Sequence, residues 1–138
     1  MSERKRILVV EDETPVALIM VFLLSRVGYD VTTVTSGRKG LELAITTRFD
    51  VITLDVDLPD INGFEICREL KQRHISHRTP IVFVTGRPHD EYRQFALELG
   101  AADYIEKPFE PSDLVFRIAT HARKLQPDLK PTVSEEAV

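Results

Sequence analysis

Short apolar runs rich in β-branched residues alternate with longer stretches in which apolar positions recur every three or four residues. The first kind predicts strands over Ile7–Val10, Asp30–Val34, Val51–Leu54, Ile81–Val84 and Asp103–Ile105. The second kind predicts helices over Pro15–Val27, Arg38–Thr47, Gly63–Arg73, Asp90–Leu99 and Ser112–Leu125. Gly28, Gly40 and Gly100 fall near helix ends, and Pro15 and Pro111 fall where a first helical turn tolerates proline. Strict alternation of strand and helix implies an α/β fold, a doubly wound five-stranded parallel sheet with helices on both faces. Residues 1–125 form one domain in this pattern, and the polar, proline-containing 126–138 reads as a disordered tail.

The first helix breaks the amphipathic rule. At about 100° per residue, Val16, Ile19, Met20, Leu23 and Val27 share a face expected to pack on the sheet. Leu18, Val21, Phe22 and Ser25 lie opposite, where a surface helix should be polar. A surface helix that is apolar all round implies a further partner. Leu18, Val21 and Phe22 are therefore expected to belong to a docking or dimer surface.

Composition narrows the class. A chain of 138 residues, 43% hydrophobic and 29% charged, is sized for one globular domain. Its net charge of -4 weighs against direct contact with nucleic acid, which calls for a basic face. The single cysteine, Cys67, rules out an internal disulfide and reads as a small buried helix residue. Behind the basic start MSERKR the apolar run is only ILVV, short of the roughly 7–15 residues of a signal peptide. The longest apolar run, Val16 to Leu24, is far below the ~20 residues of a membrane span. The expected location is the cytoplasm, with no membrane contact.

Ligands of such sheets bind beyond the carboxyl ends of the strands. Here those ends carry Glu11-Asp12, then Asp55, then Thr85, then Glu106-Lys107-Pro108. Any one of these residues is an ordinary solvated loop group; all of them at equivalent strand ends make a pocket. Acids this close require a cation to stay ionised. An all-oxygen set suits magnesium, which shares its ligands with phosphate, and a hydroxyl and an ammonium can hold phosphoryl oxygens. A calcium loop starting at Asp55 fails, because Pro59 and Asp60 occupy its fifth and sixth positions and Ile66 stands where Glu should close it.

The ordered set ILVVEDE, LDVDLPDING, VFVTG and ADYIEKPF, over roughly Lys5 to Leu125, resembles the receiver domain of two-component response regulators. The resemblance implies the flavodoxin-like strand order 2-1-3-4-5 of the chemotaxis member of that family. It makes Asp55 the phosphoacceptor, charged by a sensor histidine kinase or histidine phosphotransfer protein or by a small phosphodonor. Glu11 and Asp12 would hold Mg2+ together with Asp55 and the backbone carbonyl of Asp57. Thr85 and Lys107 would bind phosphoryl oxygens, Tyr104 would be the switch aromatic, and the Lys107–Pro108 bond would be cis. Catalysis would be positioning plus electrostatics, limited to the domain's own phosphorylation and dephosphorylation, with a downstream protein as target. As phosphorylation draws Thr85 inward, Tyr104 would follow, a population shift read on the face of the fourth and fifth strands. Two other readings stand beside this one. D-x-D after a hydrophobic strand is similar to the first motif of haloacid-dehalogenase-like phosphohydrolases, but chain length, its place in the third strand and the upstream acidic pair weigh against that. A receiver fold could also serve as an interaction module without phosphorylation. With no effector domain following, output is expected through protein contact or from another part of a longer protein.

The chain departs from the family pattern in three places. Asp57 stands where receivers commonly carry an uncharged residue, and Arg87 stands two past Thr85. They are expected to pair at the mouth of the site and to tune phosphoryl lifetime by controlling water, the alternative being an ordinary solvated pair. In the family the first and fifth helices lie together and kinases dock there, so Phe116 extends the Leu18, Val21 and Phe22 surface, which could also form a homodimer. Asp103 and Arg117 match part of the salt-bridge set of the family's DNA-binding members, but Phe95 stands where a basic residue should face Asp113. His74, His77, His89 and His121 lack metal-ligand spacing and read as solvated or helix-terminal, and Asp60 reads as shaping its own loop and the start of the third helix.

Overall fold

The structure, a computed structural model, describes residues 4–87 and 90–123. Five strands, β1 (Arg6–Val10), β2 (Asp30–Val34), β3 (Val51–Leu54), β4 (Ile81–Thr85) and β5 (Asp103–Glu106), alternate with five helices. The helices are α1 (Thr14–Arg26), α2 (Gly37–Thr46), α3 (Gly63–Gln72), α4 (Asp90–Glu98) and α5 (Pro111–Arg123). Each predicted element is present, with ends displaced by a residue or two; a short 3-10 turn over Ile75–His77 was not foreseen. The expected tail 126–138, and the last two residues expected in the fifth helix, lie outside the described residues.

All pairings are parallel, in the order β2-β1-β3-β4-β5. β3 and β4 are buried along their whole length, as a strand covered on both faces must be. Alternate side chains build two cores. Leu8, Val10, Ile52, Leu54 and Phe83 pack with Ile66 and Leu70 of α3 and Ala96 of α4. Ile7, Val9, Val51, Val82 and Val84 pack with Met20 and Leu24 of α1 and Leu114 and Ile118 of α5. In register, Val10 lies beside Leu54 and Thr85 beside Glu106, so the residues that follow these strands emerge on one edge.

Helix α1 turns toward the sheet a face that overlaps the expected one: Met20 is buried and Val16 and Leu23 pack against the same core, whereas Ile19 and Val27 do not. Its buried positions are Ala17, Met20 and Leu24. Ile19, one residue step or about 100° from Met20, falls outside the sheet-facing arc and is 49% exposed. Val27 is aligned with Met20 but caps the helix where the chain turns away through Gly28, and it is 53% exposed. Leu18 and Phe22, nearly opposite Met20, are exposed, while Val21 turns toward Thr33 and Val34 of β2 and is half-buried. Phe116 of α5 is also exposed, and α1 lies beside α5.

His121 is helix-terminal, in the last turn of α5, but not solvated. It is buried on α5, with Nε2 3.0 Å from Asp103 Oδ2, and its Nδ1 has no hydrogen-bond partner. Its spacing gave no sign of this, because burial follows from α5 laying one stripe, Leu114, Ile118, His121 and Ala122, against the sheet.

Candidate functional site

The backbone fixes the acids before their side chains act. Beyond the paired strands, Glu11 N–H donates to the Val34 carbonyl (3.0 Å), Asp55 N–H to Val10 (3.3 Å) and Lys107 N–H to Thr85 (2.8 Å). Asn62 caps α3 by accepting from Phe64 N–H. At the first residue of α3, Gly63 lies so close to the Asp55 and Val56 backbone that a Cβ would overlap it. Side-chain freedom is thus removed around Asp55 from two directions, sheet and helix.

Lys107 organises the site. Its ammonium lies 2.8 Å from Asp55 Oδ2, 3.0 Å from Glu11 Oε1 and 3.2 Å from Glu13 Oε1. Asp55 and Glu11 are almost fully buried, whereas Asp12 is half-buried and Glu13 exposed. Burial pushes the Glu11 carboxyl up to about 7, against the opposing pull of Lys107. For Lys107 burial acts to lower the pKa, but hydrogen bonds to Asp55 and Glu11 outweigh it and hold the ammonium above the usual lysine range. Glu13 was absent from the predicted site; its place directly after Glu11-Asp12, at the N-cap of α1, is the signal that could have included it.

Carboxylate oxygens of Glu11, Asp12 and Asp55 can be chosen that all lie within 4.8 Å of one another. An all-oxygen donor set, with the ammonium of Lys107 shared by three carboxylates and Asp12 beside them, fits a hard divalent cation such as Mg2+.

Opposite Lys107 the site has a second charged arrangement. Arg87 donates from Nε and Nη2 to the two oxygens of Asp57 (2.9 and 2.7 Å) and from Nη1 to the Tyr92 hydroxyl (2.9 Å). Hydrogen bonding to Arg87 holds the Asp57 carboxyl below the usual range, and the same bonds raise Arg87. The Tyr104 hydroxyl donates to the Arg87 carbonyl (2.6 Å), and Tyr104 is buried. The aromatic lies inward, its hydroxyl against the backbone just after β4. Thr85 is fully buried, and its hydroxyl accepts from Arg87 N–H (3.4 Å).

Asp55, Asp12, Asp57, Arg87 and Lys107 line one cleft of about 720 Å³, joined by Glu13 and Tyr92. Glu11, Thr85 and Tyr104 are buried and do not line it. Leu18, Phe22 and Phe116 are surface residues apart from it.

The family model for the response regulator receiver domain matches residues 7–119. The chain belongs to this family. It is 38% identical over 120 residues to the alkaline phosphatase synthesis transcriptional regulatory protein PhoP of Bacillus subtilis, covering 87% of this chain and 49% of that protein. To the transcriptional regulatory protein CreB of Escherichia coli it is 38% identical over 124 residues, 90% of this chain and 53% of the other. The chain thus spans about half the length of these curated relatives. Among solved structures it resembles the receiver domain of the Francisella response regulator 1452 (TM-score 0.82, 26% identity, 87% of this chain and 98% of that one). It also resembles the receiver domain of the sensor histidine kinase PA1611 of Pseudomonas aeruginosa (TM-score 0.80, 29% identity, 88% and 100%), a structure with magnesium coordinated in its active-site cleft. Receivers are signalling domains of the two-component class rather than classical enzymes, and they bind Mg2+ in their active sites.

One acid of LDVDLPDING acts elsewhere than expected. Asp60 does not reach the start of α3; it accepts from Ser36 Oγ (2.9 Å), Gly37 N–H (2.8 Å) and Arg38 N–H (3.0 Å) at the start of α2. These bonds, with that from Arg38 N–H foremost, hold its carboxyl at about 2. On the opposite flank Arg117 pairs with Asp103 (2.9 Å) and Asp113 (3.3 Å). Phe95 packs edge-on against Phe64 (4.9 Å).

Proposed function

We propose that this receiver is a phosphorylation-controlled switch, taking a phosphoryl group on Asp55 from a histidine kinase or histidine phosphotransfer protein in the cytoplasm. The observation that carries this is the Lys107 ammonium spanning Asp55 and Glu11 at the end of a parallel sheet, in a cleft open at Asp12. Asp55 is the nucleophile: one carboxylate oxygen bonds to phosphorus as the donor's bond to phosphorus breaks. Lys107 stays charged throughout and offsets charge on the transferring group. Thr85 donates its hydroxyl hydrogen to a phosphoryl oxygen, a role its acceptance from Arg87 N–H leaves free. Glu11, Asp12, Asp55 and the Asp57 carbonyl would hold Mg2+, which when bound supplies positive charge to phosphoryl oxygens. Asp57 and Arg87 bridge the mouth and restrict water, lengthening the phosphoryl lifetime.

Output passes through Tyr104 to a downstream protein partner. The apolar face of α1, exposed at Leu18 and Phe22 and half-buried at Val21, is with Phe116 the docking surface for a kinase or a second copy.

The test is intact mass after incubation with acetyl phosphate and Mg2+. One phosphoryl adduct on wild type and none on Asp55→Ala supports the switch. Turnover of a phosphoester substrate would point to a hydrolase, and no adduct on either protein to a binding module without phosphorylation.

A further inference from the structure

Arg87 is anchored more firmly than an exposed ion pair requires. The side chains of Arg87 and Asp57 are 40% and 54% exposed, and such pairs lose much of their gain to side-chain entropy. Tyr92, in the first turn of α4, supplies the missing rigidity. Its hydroxyl accepts from Arg87 Nη1 at 2.9 Å, and the guanidinium carbon lies 5.1 Å from its ring centre. The tyrosine ring is itself stacked on Phe64 of α3 (6.4 Å, 15°), and Phe64 packs on Phe83 of β4 (5.3 Å). Tyr92, Arg87, Asp57 and Asp55 all line the same cleft.

We propose that Tyr92 is a positioning residue for the chemistry at Asp55. It fixes the Arg87 guanidinium across Asp57, so that the mouth of the cleft stays narrow while Asp55 carries its phosphoryl group. This rests on the reading of Asp55 as phosphoacceptor. The step it slows is hydrolysis: a water oxygen bonds to phosphorus and the P–O bond to Asp55 breaks. Free carboxylate and inorganic phosphate are the products, and a water proton passes to the phosphate or to solvent. Tyr92 acts on this step through Arg87, and a double-mutant cycle separates that role from a purely structural one.

The experiment is a double-mutant cycle on phosphoryl decay. Wild type, Tyr92→Phe, Arg87→Ala and the double variant are phosphorylated with acetyl phosphate and Mg2+, freed of donor, and followed by intact mass. Tyr92→Phe keeps the ring, so a thermal melt should show it folded. It should decay about 5-fold faster than wild type, the scale of one net hydrogen bond. In the Arg87→Ala background the same change should have no further effect. Equal decay of wild type and Tyr92→Phe overturns the proposal, as does an acceleration that persists without Arg87. If wild type takes no adduct, the phosphoacceptor reading falls and this inference with it; if the adduct forms but decay is insensitive to Tyr92, the inference falls alone.

Discussion

Gly63 gives a test of how the fold positions Asp55. It opens α3, and its N–H donates to the Val56 carbonyl at 2.9 Å. An added Cβ would sit 3.0 Å from both the Asp55 carbonyl carbon and Val56 Cα, and would overlap the Asp55 carbonyl oxygen. All three obstacles are backbone, so no side chain can swing aside. To reach ordinary contact, α3 and the Asp55 backbone must separate by roughly 1 Å. Overpacking of this kind costs about 2 kcal/mol. With a urea dependence near 2 kcal/mol/M, the unfolding midpoint of Gly63→Ala should fall by about 1 M. A reacting group misplaced by roughly 1 Å loses about 100-fold in rate, so phosphorylation by acetyl phosphate should slow by that order under conditions where the variant is folded. Gly28→Ala is the control. Gly28 has φ +103° and nothing near a Cβ, and it lies between α1 and β2 at the far end of the sheet. It should lose stability through backbone strain yet phosphorylate at the wild-type rate. A normal phosphorylation rate in folded Gly63→Ala would refute the idea that this close approach sets Asp55.

Other consequences follow from charge and exposure. Asp60 is held at about 2, below the ordinary carboxylate value, so its contribution is present above about pH 4 and lost as pH falls toward 2. Asp60→Ala should be less stable at neutral pH and lose less stability between pH 4 and 2 than wild type, as urea midpoints across that range would show. Glu11 behaves oppositely. Its pKa of about 7 lies above the ordinary value, so its relative stabilisation is present below about pH 4 and lost as pH rises through 7. Because a cation competes with that proton, Mg2+ affinity measured by calorimetry should strengthen up to about tenfold per pH unit below 7 and flatten above it; a constant affinity from pH 6 to 8 would contradict this. Phe22→Glu, which places a charge on an exposed apolar face, should weaken kinase phosphotransfer or self-association while leaving acetyl phosphate labelling unchanged.

Much of the architecture was legible because two periodicities carry it. The buried β3 and β4 could only be apolar runs, and the polar residues stopping each run became the site. Asp55, Glu11, Asp12 and Lys107 were placed together by topology alone, since parallel strands bring like ends to one edge. What pattern could not supply was three-dimensional reach. Asp60 sits two residues from Asn62, yet it serves α2, because the loop after β3 passes over Gly37. The α1 face was only partly legible because every position from Val16 to Leu24 is apolar, so periodicity could not fix which stripe faces the sheet. Nothing in the pattern marked Tyr92, whose contact with Arg87 is made only in three dimensions. His121 shows the same limit, a polar residue buried by its place in a stripe.

The central claim is that one of the clustered acids, Asp55, accepts the phosphoryl group. Borohydride reduction of the acetyl phosphate-treated protein, followed by peptide mapping, tests it most directly, because only an acyl phosphate is reduced to the alcohol. The account predicts homoserine at position 55 and at no other acid. Reduction at Asp12, Asp57 or Asp60 with Asp55 intact would contradict it.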